Sequence, residues 1–258
     1  MPLTSDQQEL FRRYFLQQSE LYGGQFWSSR EGLKLQPAEK SQELPDVSGP
    51  YVMHERTGPV KEPPHDEPPY FAGGDNPELR ALYHSIKDCA ACSLGKTRTN
   101  FVFGVGNPNA DILFIGEAPG ADEDRTGIPF VGRAGKLLDK LLAEVGLDRK
   151  KVFIGNILKC RPPQNRDPNP LEAATCIPYL ENQIELIRPK IIVALGRIAA
   201  QTLLQTTTAI GKLRGIVHQY RGTDMIATYH PAALLRSGRF MDPTRQDFQR
   251  IVNLYREK

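Results

Sequence analysis

The sequence has no long hydrophobic run. Its 258 residues are 40% hydrophobic, yet no apolar segment approaches the ~20 residues that a membrane-spanning helix needs. The N-terminus also lacks the charged stretch, apolar stretch and small-residue cleavage site of a secretory signal peptide. We therefore expect a cytoplasmic protein that makes no contact with membranes.

Cysteine is scarce, since the whole chain has only four, and a cytoplasmic location disfavours disulfides. Cys89 and Cys92 form a Cys-x2-Cys pair that can grip one metal centre, and two later thiolates, Cys160 and Cys176, would complete four ligands. Spacing alone leaves a structural zinc and an iron-sulfur cluster equally good readings.

Net charge is also small, at +3, but it is unevenly distributed along the chain. Residues 1–74 hold 7 of the 33 Lys/Arg and 11 of the 30 Asp/Glu, which leaves the remainder clearly basic. A basic body is compatible with a phosphate-binding surface, although a basic excess often serves only solubility.

The first 75 residues have the composition of an N-terminal extension. Thr4 or Ser5 is placed to cap a short amphipathic helix that ends near Leu21. Residues 36–74 are rich in proline and charge and have no periodicity, which predicts a disordered linker. We therefore expect two parts, an extension over residues 1–75 and a folded domain over residues 76–258.

The folded part centres on a strand, loop and helix between residues 111 and 142. An apolar run ends at Gly116, and a polar loop with four carboxylates follows, at Glu117, Asp122, Glu123 and Asp124. Leucines at helical spacing come after Gly135. The loop lacks the lysine of a Walker phosphate-binding motif, and its acidic groups would repel a polyphosphate unless a metal intervened.

The rest of the pattern predicts an α/β fold with three layers, α/β/α, around a central, mainly parallel four-stranded sheet. Further strands are expected at residues 152–155 and 190–195, with a weaker pair at 216–220 and 225–228 and a short strand at 101–103. Helices are expected at residues 77–87, 137–146, 170–187 and 197–204, with a break or kink at Pro178.

Three chemically capable side chains follow strands of this sheet. Glu117, Asn156 and His230 each stand at or just past the end of a predicted strand. The carboxyl ends of parallel strands lie on one edge, so the three side chains are expected to share a pocket. Each also has a plainer reading, because such residues are often turn formers or local hydrogen-bonding groups.

Three blocks of sequence closely resemble the family-4 uracil-DNA glycosylases. They read GEAPGADEDRTGIPFVGRAG at residues 116–135, GNILKCRPPQNRDP at 155–168 and YHPAALLR at 229–236. The resemblance covers about residues 76–258 and is specific, because the four cysteines match as well. It implies a monofunctional DNA repair enzyme that flips uracil out of DNA and hydrolyses its N-glycosidic bond, leaving an abasic site for base excision repair.

The resemblance also implies roles for individual residues. Asn156 would read uracil through its side-chain amide, whose donor and acceptor match the O4 and N3–H of that base. Phe130 would stack on the flipped base, with Ala118 and Gly120 beside it in the substrate pocket. His230 would donate a hydrogen bond to uracil O2 as negative charge develops there.

The water-activating group is open between two carboxylates, Glu117 and Glu123. Ala118 occupies the position at which better-known uracil glycosylases carry an aspartate, so the base must differ. Glu123 matches a family position suspected either of aiding catalysis or of blocking the thymine methyl group. Glu117 would act either as the base or through its backbone only.

Contacts to DNA are expected from a basic loop and from the segment after His230. Lys159, Arg161 and Arg166 would meet phosphates, as would Arg236. Leu234 or Leu235 would wedge into the gap left by the flipped base.

The resemblance favours a 4Fe-4S cluster on the four cysteines, with a structural role and no divalent metal needed for catalysis. The expected partner is uracil-containing DNA, bound by a monomer that associates with the nucleoid through DNA. Residues 1–75 are available for a repair or replication protein. Alternative readings are an iron-sulfur protein that binds uracil-DNA with weak or no catalysis, and a nucleotide hydrolase on the same architecture.

Overall fold

The computed structural model describes residues 71–72 and 74–258. The predicted helix over residues 4–21 lies outside the described residues, as does nearly all of the predicted linker. Among the helices of the described part, none combines the length and apolar character needed to cross a membrane.

The described residues form one six-stranded sheet. In chain order its strands are β1 (Val105–Gly106), β2 (Ile112–Gly116), β3 (Phe153–Asn156), β4 (Ile191–Leu195), β5 (Val217–Tyr220) and β6 (Thr223–Thr228). Their spatial order is β1-β3-β2-β4-β6-β5, and the four central strands are parallel. The outer strands β1 and β5 are antiparallel to their neighbours.

The predicted α/β class and parallel centre are confirmed, but two details of the sheet were wrong. The described sheet has six strands rather than four, because a short antiparallel strand is added at each edge. The predicted strand at residues 101–103 is absent, and the chain pairs instead two residues later, at β1. Phe103 is fully buried in the core, so its apolar character reflects packing rather than strand pairing.

Helices cover both faces of the sheet. They are α1 (Pro77–Ile86), α2 (Ala121–Thr126), α3 (Arg133–Glu144), α4 (Pro170–Ile187), α5 (Arg197–Leu204), α6 (Ile210–Leu213), α7 (Pro231–Arg236) and α8 (Met241–Arg256). Alternate residues of β2 point to opposite layers, with Leu113 and Ile115 in the core that contains α1, α4 and α5. Ile112 and Phe114 pack with α3, α7 and α8 on the other face. The three layers follow from this period-2 alternation.

Local sequence signals account for several helix boundaries. The Asn76 side chain accepts a hydrogen bond from the Leu79 amide and begins α1, with Pro77 at the favoured first position. Asn169 and Glu172 form a reciprocal capping box at the start of α4. Contrary to expectation, α4 runs through Pro178 without a break.

The register of the parallel strands aligns their carboxyl ends. Gly116 at the end of β2 pairs with Asn156 at the end of β3, and Leu195 pairs with Thr228 two residues before His230. The segments that follow these strands therefore leave the sheet along one edge, where open α/β sheets place ligands.

Candidate active site

A cleft of about 410 Å³ opens at this edge of the sheet. It brings together nine of the sequence-predicted site residues: Glu117, Ala118, Gly120, Glu123, Phe130, Asn156, Arg166, His230 and Arg236. The other lining residues include Pro162, Asn165, Asp167 and Ala134. Four separate segments contribute, which is typical of a ligand site built from loops on a rigid sheet.

Gly116 lets two of these side chains approach the strand end. A Cβ at Gly116 would lie 2.4 Å from Asn156 Oδ1 and 2.6 Å from Phe130 Cζ, so both side chains lie directly against the glycine backbone. Phe130 itself has a left-handed backbone, with φ of 55°. This conformation is unusual for a bulky residue and occurs where the surroundings impose it, often at functional sites.

Asn156 presents a buried acceptor to the cleft. The residue is 2% exposed, and its Oδ1 has no hydrogen-bond partner among the described residues. An unpaired buried acceptor costs free energy, on the order of 1–3 kcal/mol, unless a ligand or water supplies the donor. The amide is therefore arranged to meet a donor that comes from outside the protein.

His230 faces the cleft as a neutral hydrogen-bond donor. It is the N-cap of α7, and its Nδ1 accepts from the Ala232 amide at 3.1 Å. With Nδ1 as acceptor, the neutral ring carries its proton on Nε2. Burial lowers the pKa of His230 to about 4, with Arg236 adding to the effect and Glu123 opposing it, so the ring is neutral at physiological pH. Its centroid lies 5.5 Å from that of the Phe130 ring, at 31° between planes.

Glu117 carries a carboxyl group whose proton affinity is unusually high. Burial raises the pKa of Glu117 to about 7, the Asp167 carboxylate adds to the increase, and Arg197 opposes it. A carboxyl group with a pKa near 7 changes protonation state in the pH range in which general bases act.

The Glu123 carboxylate, by contrast, accepts hydrogen bonds from backbone amides. Its Oε2 accepts from the Gly120 amide at 3.1 Å, and its Oε1 accepts from the Val131 and Gly132 amides at 2.9 and 3.0 Å. These bonds connect the first part of the loop, at Gly120, with its last part, at Val131 and Gly132. The carboxylate therefore fixes the segment that carries Phe130.

The loop after β2 is more ordered than its composition indicated. Its acidic stretch forms the short helix α2, which ends at Gly127 in a left-handed conformation. Asp124 is buried and accepts from the Thr99 amide at 2.8 Å, which ties α2 to the preceding basic segment. Its carboxylate thus has a structural partner rather than a ligand.

The structure corrects two of the predicted DNA contacts. Lys159 is fully buried, so its ammonium cannot reach a phosphate. Leu234 is 4% exposed and packs in the core, whereas its neighbour Leu235 is 44% exposed. Arg161 donates to Asn165 at 2.8 Å beside the cleft, and Arg236 lies on its rim.

Sequence reasoning missed the acidic partner of Glu117. Asp167 lines the cleft and forms an ion pair with Arg197 at 2.7 Å. Asp167 belongs to the conspicuous CRPPQNRDP stretch, but Arg197 begins a helix 30 residues later, so the sequence carried no signal of their pairing.

The four cysteines are free thiols in one neighbourhood of the fold. Burial raises the pKa of the Cys160 thiol, and the nearby Cys92 and Cys89 add to the increase. Burial also raises the pKa of the Cys176 thiol to about 12, with Cys160 and Cys92 adding to the increase. Within the described residues, no three His, Cys, Asp or Glu side chains are gathered closely enough to hold a single metal ion.

Two cations accompany these sulfurs. Arg98 donates from Nη1 to Cys160 Sγ at 3.1 Å and to the Cys89 carbonyl at 2.7 Å. Arg98 therefore faces the cysteines. Burial lowers the pKa of Lys159 to about 8, and the nearby Cys176 and Cys160 oppose that effect. Cations in these positions suit anionic thiolate ligands.

The fold and cleft define an α/β protein with a pocket at the carboxyl edge of a parallel sheet and four cysteines gathered in one part of the fold. Residues 103–254 match the family model of the Uracil DNA glycosylase superfamily. The chain is 47% identical over 188 residues to a Type-4 uracil-DNA glycosylase of Archaeoglobus fulgidus, covering 70% of this chain and 94% of that protein. It is 49% identical over 161 residues to one of Thermotoga maritima, covering 62% and 84%.

A Type-5 uracil-DNA glycosylase of Pyrobaculum aerophilum matches less well, at 35% identity over 147 residues, covering 50% of this chain and 64% of that protein. The chain belongs to the Type-4 uracil-DNA glycosylases of the Uracil DNA glycosylase superfamily. The family expected from the three sequence blocks is therefore confirmed.

Proposed function

We propose that the protein is a DNA repair enzyme that flips uracil out of DNA and hydrolyses its N-glycosidic bond, leaving an abasic site. Membership in the Type-4 family supports this reaction. Residues 76–258 carry the activity, and uracil-containing DNA is the partner. The protein acts as a monofunctional hydrolase that needs no divalent metal.

The observation that carries the proposal is the unpaired Oδ1 of Asn156, which lies beside the Phe130 ring in the cleft that His230 also lines. Uracil N3–H supplies the donor that Oδ1 lacks, and the Asn156 amide nitrogen donates to uracil O4. Cytosine presents the reversed donor and acceptor in the same pose and leaves both groups unmatched. Phe130 gives the flipped base a flat apolar face.

His230 stabilises the charge that leaves with the base. Cleavage of the glycosidic bond puts positive charge on the sugar and negative charge on uracil O2. The Nε2–H of the neutral ring donates to that oxygen, and the interaction strengthens as the bond breaks. Because the pKa of His230 is about 4, the ring acts as a hydrogen-bond donor without being a cation.

Glu117 is the better candidate for activating water. Its side chain lines the cleft, and its raised pKa suits proton transfer near neutrality. Glu123 is less suited, because both of its oxygens already accept backbone hydrogen bonds. We assign Glu123 the positioning of the Phe130 loop.

The four cysteines hold a 4Fe-4S cluster in this proposal. Membership in the Type-4 family, the mutual proximity of the four free thiols and the hydrogen bond from Arg98 to Cys160 support the assignment. The cluster would supply cross-links rather than chemistry, tying the segment after α1 to the segment after β3 and to α4.

Contacts to DNA come from the exposed side chains around the cleft. Leu235 enters the duplex at the position that the flipped uracil has left, while Arg161 and Arg236 meet phosphates.

The test is incubation of the purified protein, in EDTA, with a labelled oligonucleotide carrying one uracil, followed by alkali cleavage of abasic sites. Iron content and visible absorption establish that the centre is loaded. We expect cleavage only with uracil present. Asn156→Ala and His230→Ala should reduce the single-turnover rate, the latter by about 10²- to 10³-fold.

Two surface variants serve as matched controls. Asn253→Ala in α8 and His84→Ala in α1 remove the same side chains from exposed positions, so both should retain the parental rate. A loaded protein that releases no uracil would overturn the catalytic proposal and leave binding of uracil-DNA as the alternative. Cleavage that depends on a divalent metal and a nucleotide substrate would favour a nucleotide hydrolase.

A further inference from the structure

Lys159 is a fully buried lysine whose ammonium has no carboxylate among its hydrogen-bond partners. Its Nζ donates to the Asn156 carbonyl oxygen at 2.9 Å and to Gln183 Oε1 at 2.6 Å. Gln183 is 1% exposed and donates in turn to the Phe103 carbonyl at 3.0 Å. A buried cation is costly unless it is both hydrogen-bonded and neutralised, and these bonds satisfy only the first requirement.

The neutralising charge would come from cysteines of the proposed centre. Bound as cluster thiolates, Cys160 and Cys176 would favour the protonated lysine. Lys159 contacts both sides directly, since its backbone N–H bonds to Cys176 and its ammonium donates to the Asn156 carbonyl.

Backbone hydrogen bonds also hold the residues that follow Asn156. The Ile157 and Leu158 amides donate to the carbonyls of Gly116 and Glu117, and the Val102 amide donates to the Lys159 carbonyl. The ammonium is the contact that fixes the Asn156 carbonyl from within the core. A shift of that carbonyl would rotate the Asn156 amide away from its position against Gly116.

We propose that Lys159 is a positioning residue that links the cysteine centre to Asn156 and so fixes the amide that reads the base. This inference rests on the proposed function. It explains why a basic residue in the loop that follows a base-reading strand points into the protein rather than toward DNA. The residue touches neither substrate nor the reacting atoms, and it acts through Asn156.

The decisive experiment compares Lys159→Met and Lys159→Gln with the parent in the full-length, iron-loaded protein. Lys159→Met removes the charge and the hydrogen bonds, whereas Lys159→Gln keeps a donor for the Asn156 carbonyl without the charge. Binding is measured on DNA carrying a non-hydrolysable 2′-fluorinated deoxyuridine and on the same DNA carrying thymine. Iron content, visible absorption and single-turnover rates are recorded in parallel.

Lys159→Met should keep its iron and lose about 10- to 100-fold in uracil-specific binding, as expected for the loss of a hydrogen bond from a charged group. Lys159→Gln should recover part of that loss. Binding to thymine DNA should not change, because phosphate contacts are untouched. Lys140→Met, an exposed lysine on α3, is the matched control and should behave as the parent.

A double-mutant cycle with Asn156→Ala separates positioning from general destabilisation. If Lys159 acts through Asn156, adding Lys159→Met to Asn156→Ala should cost little further uracil binding. Fully additive losses would overturn the inference, as would parental discrimination in Lys159→Met. If both Lys159 variants lose iron or fail to fold, the lysine is a structural residue of the cysteine segment and the inference is wrong. A parent protein that releases no uracil would instead overturn the proposed function.

Discussion

At the scale of single residues, the cleft contains two glutamates whose environments differ. Glu117 is partly buried near another carboxylate, which raises its pKa to about 7. Glu123 is held by three backbone amides. Burial and a like charge favour the protonated form, whereas amide donors stabilise the carboxylate. Proton transfer is therefore expected at Glu117 and loop positioning at Glu123.

The pH dependence of the reaction tests this assignment. A base must be deprotonated, so the single-turnover rate should rise about tenfold per pH unit below pH 7 and level off above the pKa of Glu117. Glu117→Gln should lower the rate by about 10²- to 10⁴-fold and remove that ascending limb. Glu78→Gln, on the exposed face of α1, should leave the profile unchanged. An unaltered profile in Glu117→Gln would exclude its side chain as the base.

Gly116 is the second test at this scale. In Gly116→Ala the new methyl group would displace the Asn156 amide and the Phe130 ring, both of which lie within 3 Å of its position. We expect a loss of about 10²-fold in the single-turnover rate, the size of effect that a displacement of about 1 Å can have. Gly211→Ala in α6 is the control, because its methyl meets only the Tyr229 hydroxyl at 3.6 Å. Equal single-turnover rates in both variants would contradict the close packing of Asn156 and Phe130 against Gly116.

At the scale of elements, α7 joins the proposed catalytic histidine to the proposed DNA wedge. His230 caps its first turn, and the helix then places two consecutive leucines in different surroundings. Leu234 packs into the core beside α3 and α8, and Leu235 points outward. One short helix can thus hold the histidine in place and also carry a wedge.

These leucines give a paired prediction. Leu235→Ala should lower uracil release from duplex DNA but not from single strands, and its unfolding free energy should stay within about 0.5 kcal/mol of the parent. Leu234→Ala should lower the unfolding free energy by about 2–5 kcal/mol. Urea unfolding and single-turnover assays on both substrates measure these effects. An equal loss on single-stranded DNA in Leu235→Ala would argue against wedging.

At the scale of the whole molecule, the described fold joins both ends of its chain to the central sheet. Phe71 forms a bridge with Gly106, and the Ala72 amide donates to the Gly106 carbonyl at 3.0 Å. At the other end, α8 buries Phe248 and Ile251 in the core. The family match at residues 103–254 lies inside these limits.

A fragment of residues 71–258 should therefore keep the activity of the full chain. We expect its single-turnover rate and iron content to equal those of the full-length protein assayed beside it, because every described site residue is retained. A comparison of thermal unfolding completes the test. Loss of iron or of activity in the fragment would assign residues 1–70 a part in the glycosylase domain.

Much of the architecture was predictable from sequence because it depends on neighbouring residues. Continuous apolar runs with a closing glycine identified three of the four central strands, and the cap at Asn76 and the leucine spacing after Gly135 identified helices. Signals that depend on distant packing were misread. Phe103 was assigned to a strand, and the C-terminal helix α8 was not predicted.

By itself the sequence determined the family, the α/β class and the expectation that Glu117, Asn156 and His230 share one edge of the sheet. Only the tertiary structure decided which way the side chains face. It turned Lys159 and Leu234 inward, left Leu235 outside, and brought Asp167 and Arg197 beside Glu117. The reason is physical: a local pattern records which residues favour a strand or helix, whereas burial and charge pairing depend on segments that meet only in the folded chain.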